Sequence, residues 1–178
     1  DSLTGCDGKI REAVALKINQ LVFQQDNAKD YFAKLSPEIF ADATIDINAN
    51  ICRLVIDTVA VLKENKVFLK KYSEAILNFI NEAFDKLDKF IYKDKKYTIN
   101  KQLFKLYWCL EAIKLFSEQM DEEILLKVLN RAYEESEYTI REKIAQIIVP
   151  LKGKRFDNLK EKLSNDDNYY VRNVIKSS

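Results

Sequence analysis

The 178-residue sequence has no histidine, three glycines, two prolines, one methionine and one tryptophan. Each scarcity excludes something. Without histidine there is no His-based triad, no imidazole metal ligand and no imidazole pH switch. So few glycines and prolines cannot punctuate the many turns of a β-sandwich or barrel, and no Gly-rich phosphate loop follows a strand. Three cysteines, Cys6, Cys52 and Cys109, stand far apart with no CxxC pair. That pattern reads as free thiols in a reducing, cytoplasmic compartment. No stretch reaches the roughly 18 apolar residues of a membrane span; the most apolar one, 54–62, is broken by Asp57. A net charge of +1 gives no bulk attraction to nucleic acid or membrane. Serines and threonines lack an adjacent base, so no catalytic set, cofactor or metal is expected and the chain reads as non-enzymatic.

What is present is periodicity. With 47% apolar and 32% charged residues, the chain is long enough for a real core and reads as all-α. A short phrase recurs: Ile10-Arg11, Cys52-Arg53, Phe104-Lys105, Ile140-Arg141 and Val171-Arg172, at intervals of 42, 52, 36 and 31 residues. Aligned on the basic residue, the positions one before and three, seven and ten after are apolar, as in Ile10, Val14, Ile18 and Leu21 or Ile140, Ile144, Ile148 and Leu151. Lys63 in the second copy is the exception. Such offsets keep the side chains on one helix stripe. Five residues before the basic position stand Cys6, Asn48, Asn100, Ser136 and Asp167, four of them capping types that predict helix starts. Partner helices are predicted between the copies: Pro37 opening 37–43 after a shorter turn at 30–35, a long amphipathic helix over 67–92, and helices over 122–135 and 155–163.

The phrase of turn, cap and apolar-Arg pair, best seen in Asn165–Arg172 and Glu135–Arg141, resembles the HEAT/armadillo α-solenoid superfamily. The resemblance implies an α-α superhelix of stacked helical hairpins, four to five repeats with an incomplete last one, forming one domain over 1–178. In such proteins the second helix of each hairpin lines the concave side, and the recurring arginine pairs with an acidic turn residue; here Asp46, Glu134 and Asp166 are the candidates. The chain begins without Met and ends inside a helical pattern, which reads as a piece of a longer protein.

Opposite the stripe, the second and third copies carry Leu54, Thr58 and Val61, and Leu106, Leu110 and Ile113. Helices apolar all round must be buried on every side or present an apolar groove. On the second reading, Leu54, Val61, Leu106, Leu110 and Ile113 form a groove floor with Lys101 and Lys105 at its rim, receiving a protein or peptide. Charge is zoned: residues 85–105 carry a net +4 and 118–142 a net −5. The basic zone interleaves Tyr97, Phe104, Tyr107 and Trp108 with lysines, which is the physics of nucleic-acid binding. Some solenoids of this superfamily are alkylated-base DNA glycosylases, and Trp108 with Glu111 or Asp57 would be the nearest equivalents. The expected function is therefore a scaffold that binds a peptide or protein, with nucleic-acid binding as the second reading and oligomeric state left open.

Overall fold

The computed structural model describes residues 2–90 and 96–177. Ten α-helices run through them, with no strand among the described residues: α1 (Gly8–Gln24), α2 (Asp26–Ala33), α3 (Pro37–Thr44), α4 (Ala49–Leu62), α5 (Lys66–Phe90), α6 (Lys96–Ile113), α7 (Glu122–Tyr133), α8 (Tyr138–Ile148), α9 (Asp157–Ser164) and α10 (Tyr169–Lys176). Tyr92, Lys93 and Lys95, part of the predicted long helix and basic zone, lie outside the described residues.

Local chemistry explains the starts. The Asp7 carboxylate accepts from the amides of Lys9 and Ile10, Asn48 from Asn50, Asn65 from Val67 and Phe68, Asp121 from Glu123 and Ile124, and Asn168 from Tyr170. Each satisfies first-turn donors that have no partner inside the helix. Pro37 occupies the first position of α3, where its missing N–H costs nothing. After α8 the chain turns through Gly153 at φ 134°, a conformation that a β-carbon would strain.

The helices gather into two compact units, Asp1–Leu115 and Phe116–Ser178. In the first unit α1 packs on α4, α3 on both α4 and α5, and α5 along α6. Its interior holds Phe40, Ile51, Leu62, Phe68, Tyr72, Ile76 and Ile80. The buried Tyr72 hydroxyl sits 2.7 Å from Thr44 Oγ1, which itself donates to the Phe40 carbonyl. In the second unit α8 packs against both α7 and α10, and α9 against α10, closing over Leu125, Leu129, Ile140, Ile144, Leu163 and Val171.

One joint occurs in both units. In the first, Arg11 Nη1 donates to the carbonyls of Gly5 and Cys6, while its Nε and Nη2 grip Asp46 at 2.6 and 3.3 Å. Asp46 Oδ1 also accepts from the Asn48 amide. In the second, Arg141 Nη1 donates to the carbonyls of Glu135 and Ser136, its Nε and Nη2 grip Asp166 at 2.7 and 3.1 Å, and Asp166 Oδ1 accepts from the Asn168 amide. Arg172 likewise donates to the carbonyls of Asp166 and Asp167.

The joint corrects the expected alignment of the second copy. The group that donates to the carbonyl six residues back is Cys52, whose Sγ lies 3.0 Å from the Asp46 oxygen. Arg53 is exposed and reaches only Asn50 Oδ1, at 3.4 Å. Counted from Cys52, the stripe is Ile51, Val55, Val59 and Leu62, all buried, and the Lys63 exception disappears. Caps then fall four residues before the donor, at Asp7, Asn48 and Asn168, rather than five. The third copy has no helix start: Asn100 lies inside α6, which begins at Lys96.

Candidate functional site

Lys101 and Lys105 lie one turn apart on α6 and so share a side of that helix. They line a cleft of about 410 Å³ within the first unit. Across it stand the Thr4-Gly5 turn, Asp42 and Ala43 at the end of α3, and the connecting Ile45 and Ile47. The Arg11–Asp46 pair forms part of the same wall. Ile47 is 81% exposed, an aliphatic side chain left in water at the mouth.

The electrostatics of the cleft are unbalanced around Lys105. Its side chain is half-buried, and no carboxylate lies within 4 Å of its ammonium among the described residues. Burial lowers its pKa, repulsion from Lys86 and Lys101 lowers it further, and the charge of Glu82 opposes them. Asp42 is the complementary group: burial raises its carboxyl, and the field of Lys105 pulls it back without forming an ion pair. A desolvated cation without a close counter-ion favours an incoming carboxylate or phosphate oxygen.

The expected floor is elsewhere. Leu106, Leu110 and Ile113 have no exposed surface; α6 packs against α5, α3 and α4, so its apolar circumference is covered by neighbours. They are core residues, which corrects their assignment to an open groove. Leu54 and Val61 are half-buried on α4 and do not line the cleft. The structure thus brings together Lys101 and Lys105 of the predicted set and adds Asp42, Ile45 and Ile47, which sequence reasoning missed. The signal was there: α3 buries Phe40, Ala41, Ala43 and Thr44 and turns Asp42 outward.

Trp108 is 7% exposed and packs with Cys52 and Ile56, its ring meeting Tyr107 edge-on at 5.2 Å and Phe104 at 6.3 Å. It presents no open face on which a base would stack. Glu111 pairs with Lys114 at 3.0 Å, and Asp57 is exposed on α4. Among the described residues no group of three His, Cys, Asp or Glu side chains is placed to hold a metal, and no helix is long and apolar enough to cross a membrane.

The thiols differ sharply. Cys6 is exposed, whereas burial pushes Cys52 up to about 12 and Cys109 up as well. Near pH 8, about one thiol per chain is expected to react rapidly with a disulfide reagent, the other two only on unfolding. Equal rates for all three in the native protein would contradict the burial of Cys52 and Cys109. In the second unit a cleft of about 370 Å³ is lined by Ser117, Glu118, Met120, Leu125, Leu151 and Phe156, among others. Neither a family model, nor a curated protein, nor a solved structure matches this chain.

Proposed function

We propose that this chain is a non-catalytic α-solenoid segment of the HEAT/armadillo kind, acting in the cytoplasm as a scaffold, and that it binds an acidic protein or peptide segment in the cleft of its first unit. One observation carries this reading: Lys105 is a half-buried ammonium without a close counter-ion, flanked by Lys101, in a cleft whose other wall offers Ile45 and Ile47. A peptide carboxylate supplies the missing charge, and a neighbouring aliphatic side chain covers Ile47, gaining roughly 25 cal/mol for each Å² of apolar surface removed from water. The recurrence of the Arg–Asp joint in the two units supports the repeat architecture, because it ties one hairpin to the next by the same bonds. With only two lysines lining the cleft and Asp42 on the same lining, the site suits a single carboxylate rather than a run of phosphates.

The test uses a fluorescent peptide that alternates Glu with Leu, set against a single-stranded oligonucleotide of equal charge. Peptide binding is expected to weaken about tenfold in Lys105→Glu and less in Lys101→Glu, with helicity unchanged. Oligonucleotide binding that falls steeply with salt and exceeds peptide binding would establish the nucleic-acid reading instead. Peptide affinity identical in wild type and Lys105→Glu would rule out the cleft.

A further inference from the structure

Exposed aromatic rings usually occur singly; the second unit gathers three. Tyr138 opens α8, Tyr169 and Tyr170 open α10, and those two helices pack side by side. The Tyr138 and Tyr170 rings stack with centroids 6.0 Å apart and planes 27° from parallel, while Tyr169 meets Tyr170 edge-on at 5.7 Å. Even so, they remain 36%, 63% and 59% exposed in the order Tyr138, Tyr169, Tyr170. Their mutual packing leaves ring faces in water, a contiguous patch of the type that marks interaction surfaces.

The charge around the patch says what it fits. Residues 131–142 and 166–172 contain six carboxylates and three arginines. All three arginines are engaged: Arg131 on Glu135 at 2.7 Å, Arg141 on Asp166 and Asp167, and Arg172 on backbone carbonyls. Glu137, directly before Tyr138, and Glu142, one turn beyond it, have no ion-pair partner among the described residues. The positive ends of α8 and α10 weakly disfavour a cation, but the Glu137 carboxylate precedes α8 and offsets its field, while Asp166 and Asp167 are taken up by Arg141. Negative ring faces beside spare carboxylates attract a cation and repel phosphate. Among cations the guanidinium suits the site best, because it is planar, stacks on an aromatic face and still donates sideways to a carboxylate.

We propose that the adjoining starts of α8 and α10 form a docking surface for an arginine-bearing peptide segment of a partner protein. Its guanidinium groups stack on Tyr138, Tyr169 and Tyr170 and pair with Glu137 and Glu142. The surface is opposite in charge preference to the lysine cleft of the first unit and does not depend on it.

The experiment measures anisotropy of a labelled peptide of alternating Arg and Ser with the whole chain, against the same peptide with Lys for Arg. The Arg peptide is expected to bind several-fold tighter than the Lys peptide. Tyr138→Ala with Tyr170→Ala is expected to weaken it about tenfold, and Glu137→Lys several-fold, whereas Tyr138→Phe with Tyr170→Phe stays within about twofold because the rings remain. Helicity of each variant is followed by circular dichroism; should the alanine pair unfold, the phenylalanine pair and Glu137→Lys still decide. Equal affinity for Arg and Lys peptides with no effect of the alanine pair would overturn the proposal. So would a single-stranded oligonucleotide that binds more tightly than the Arg peptide, or self-association of the chain abolished by the alanine pair.

Discussion

Arg141→Ala is expected to destabilise the second unit by about 3 kcal/mol or more, the range found when one partner of a buried ion pair is removed. Arg141 and Asp166 side chains are only 11% and 2% exposed, so deleting the guanidinium strands a carboxylate inside the protein. It also removes the donor that Glu135 and Ser136 carbonyls use between α7 and α8. Hydrogen exchange of the α8 and α10 amides reads the effect directly. Arg141→Ala combined with Asp166→Asn should cost less than the separate losses added together, since the double variant leaves no buried charge behind and the exposed Asp167 stays solvated. A loss below about 0.5 kcal/mol in the single variant, typical of an exposed pair, would show that the joint contributes no more than surface electrostatics.

The same pair sets a pH signature. Burial alone would raise the Asp166 carboxyl; hydrogen bonds from Arg141 and the Asn168 amide, with the positive charge of Arg141, outweigh it, and the carboxyl ends below its ordinary range. With the folded value below the unfolded one, near about 3.9, the folded state binds the proton less readily. The stabilisation is therefore complete above about pH 4 and is lost as pH falls through the folded value. In Arg141→Ala the main opposing bond is gone and burial acts with less opposition. The stability gap between wild type and variant should accordingly narrow on acidification.

How far the fold was legible depended on which residue the eye aligned. Keying the repeats on positive charge placed Arg53 opposite Arg11 and Arg141, and Lys63 then broke the stripe. The carbonyl six residues back needs only a donor, and a thiol can supply that one bond, though weakly and without a grip on an aspartate; Cys52 carries no charge, so the pattern hid it. The stripe itself was sound, as Val55, Val59 and Leu62 are 2%, 0% and 2% exposed once the slip is removed. Of the three arginine partners that the resemblance implied, Asp46 holds Arg11 and Asp166 holds Arg141, whereas Glu134 lies 3.7 Å from Arg131, outside the recurring pairs. The start of α6 was not legible. Asn100 has capping chemistry, but α6 runs through it from Lys96, and Tyr97, Thr98 and Ile99 are weak helix formers, so local propensity does not mark that start. Lys101 and Lys105 were readable as neighbours on one side of a helix because charge at helical spacing is visible in one dimension; the cleft they line, with Asp42, Ile45 and Ile47, was not. Nor was the floor, since a helix apolar on all sides looks the same whether a neighbour or a ligand covers it, and only packing decides.

Leu110→Asp separates those two situations. The expected result is a first unit that does not fold, because Leu110 has no exposed surface and lies where α6 meets its neighbours. An aspartate there loses the leucine's packing and must be either ionised in an apolar interior or protonated at a raised pKa, both at a cost of several kcal/mol. Leu110→Ala removes packing alone and should cost about 2–5 kcal/mol, leaving a weakened but folded protein. Since a whole domain is stable by only about 5–15 kcal/mol, the aspartate is expected to exceed what the unit can absorb. The single tryptophan, Trp108, lies two residues earlier on the same helix and is 7% exposed, so its near-ultraviolet dichroism and emission report the collapse locally. Lys101→Asp, on the exposed side of α6, should keep the native tryptophan signal while weakening capture of an acidic peptide. If Leu110→Asp instead stayed folded, with Trp108 native and peptide binding alone abolished, that face of α6 would be open in solution and the groove floor read from periodicity would have to be reinstated.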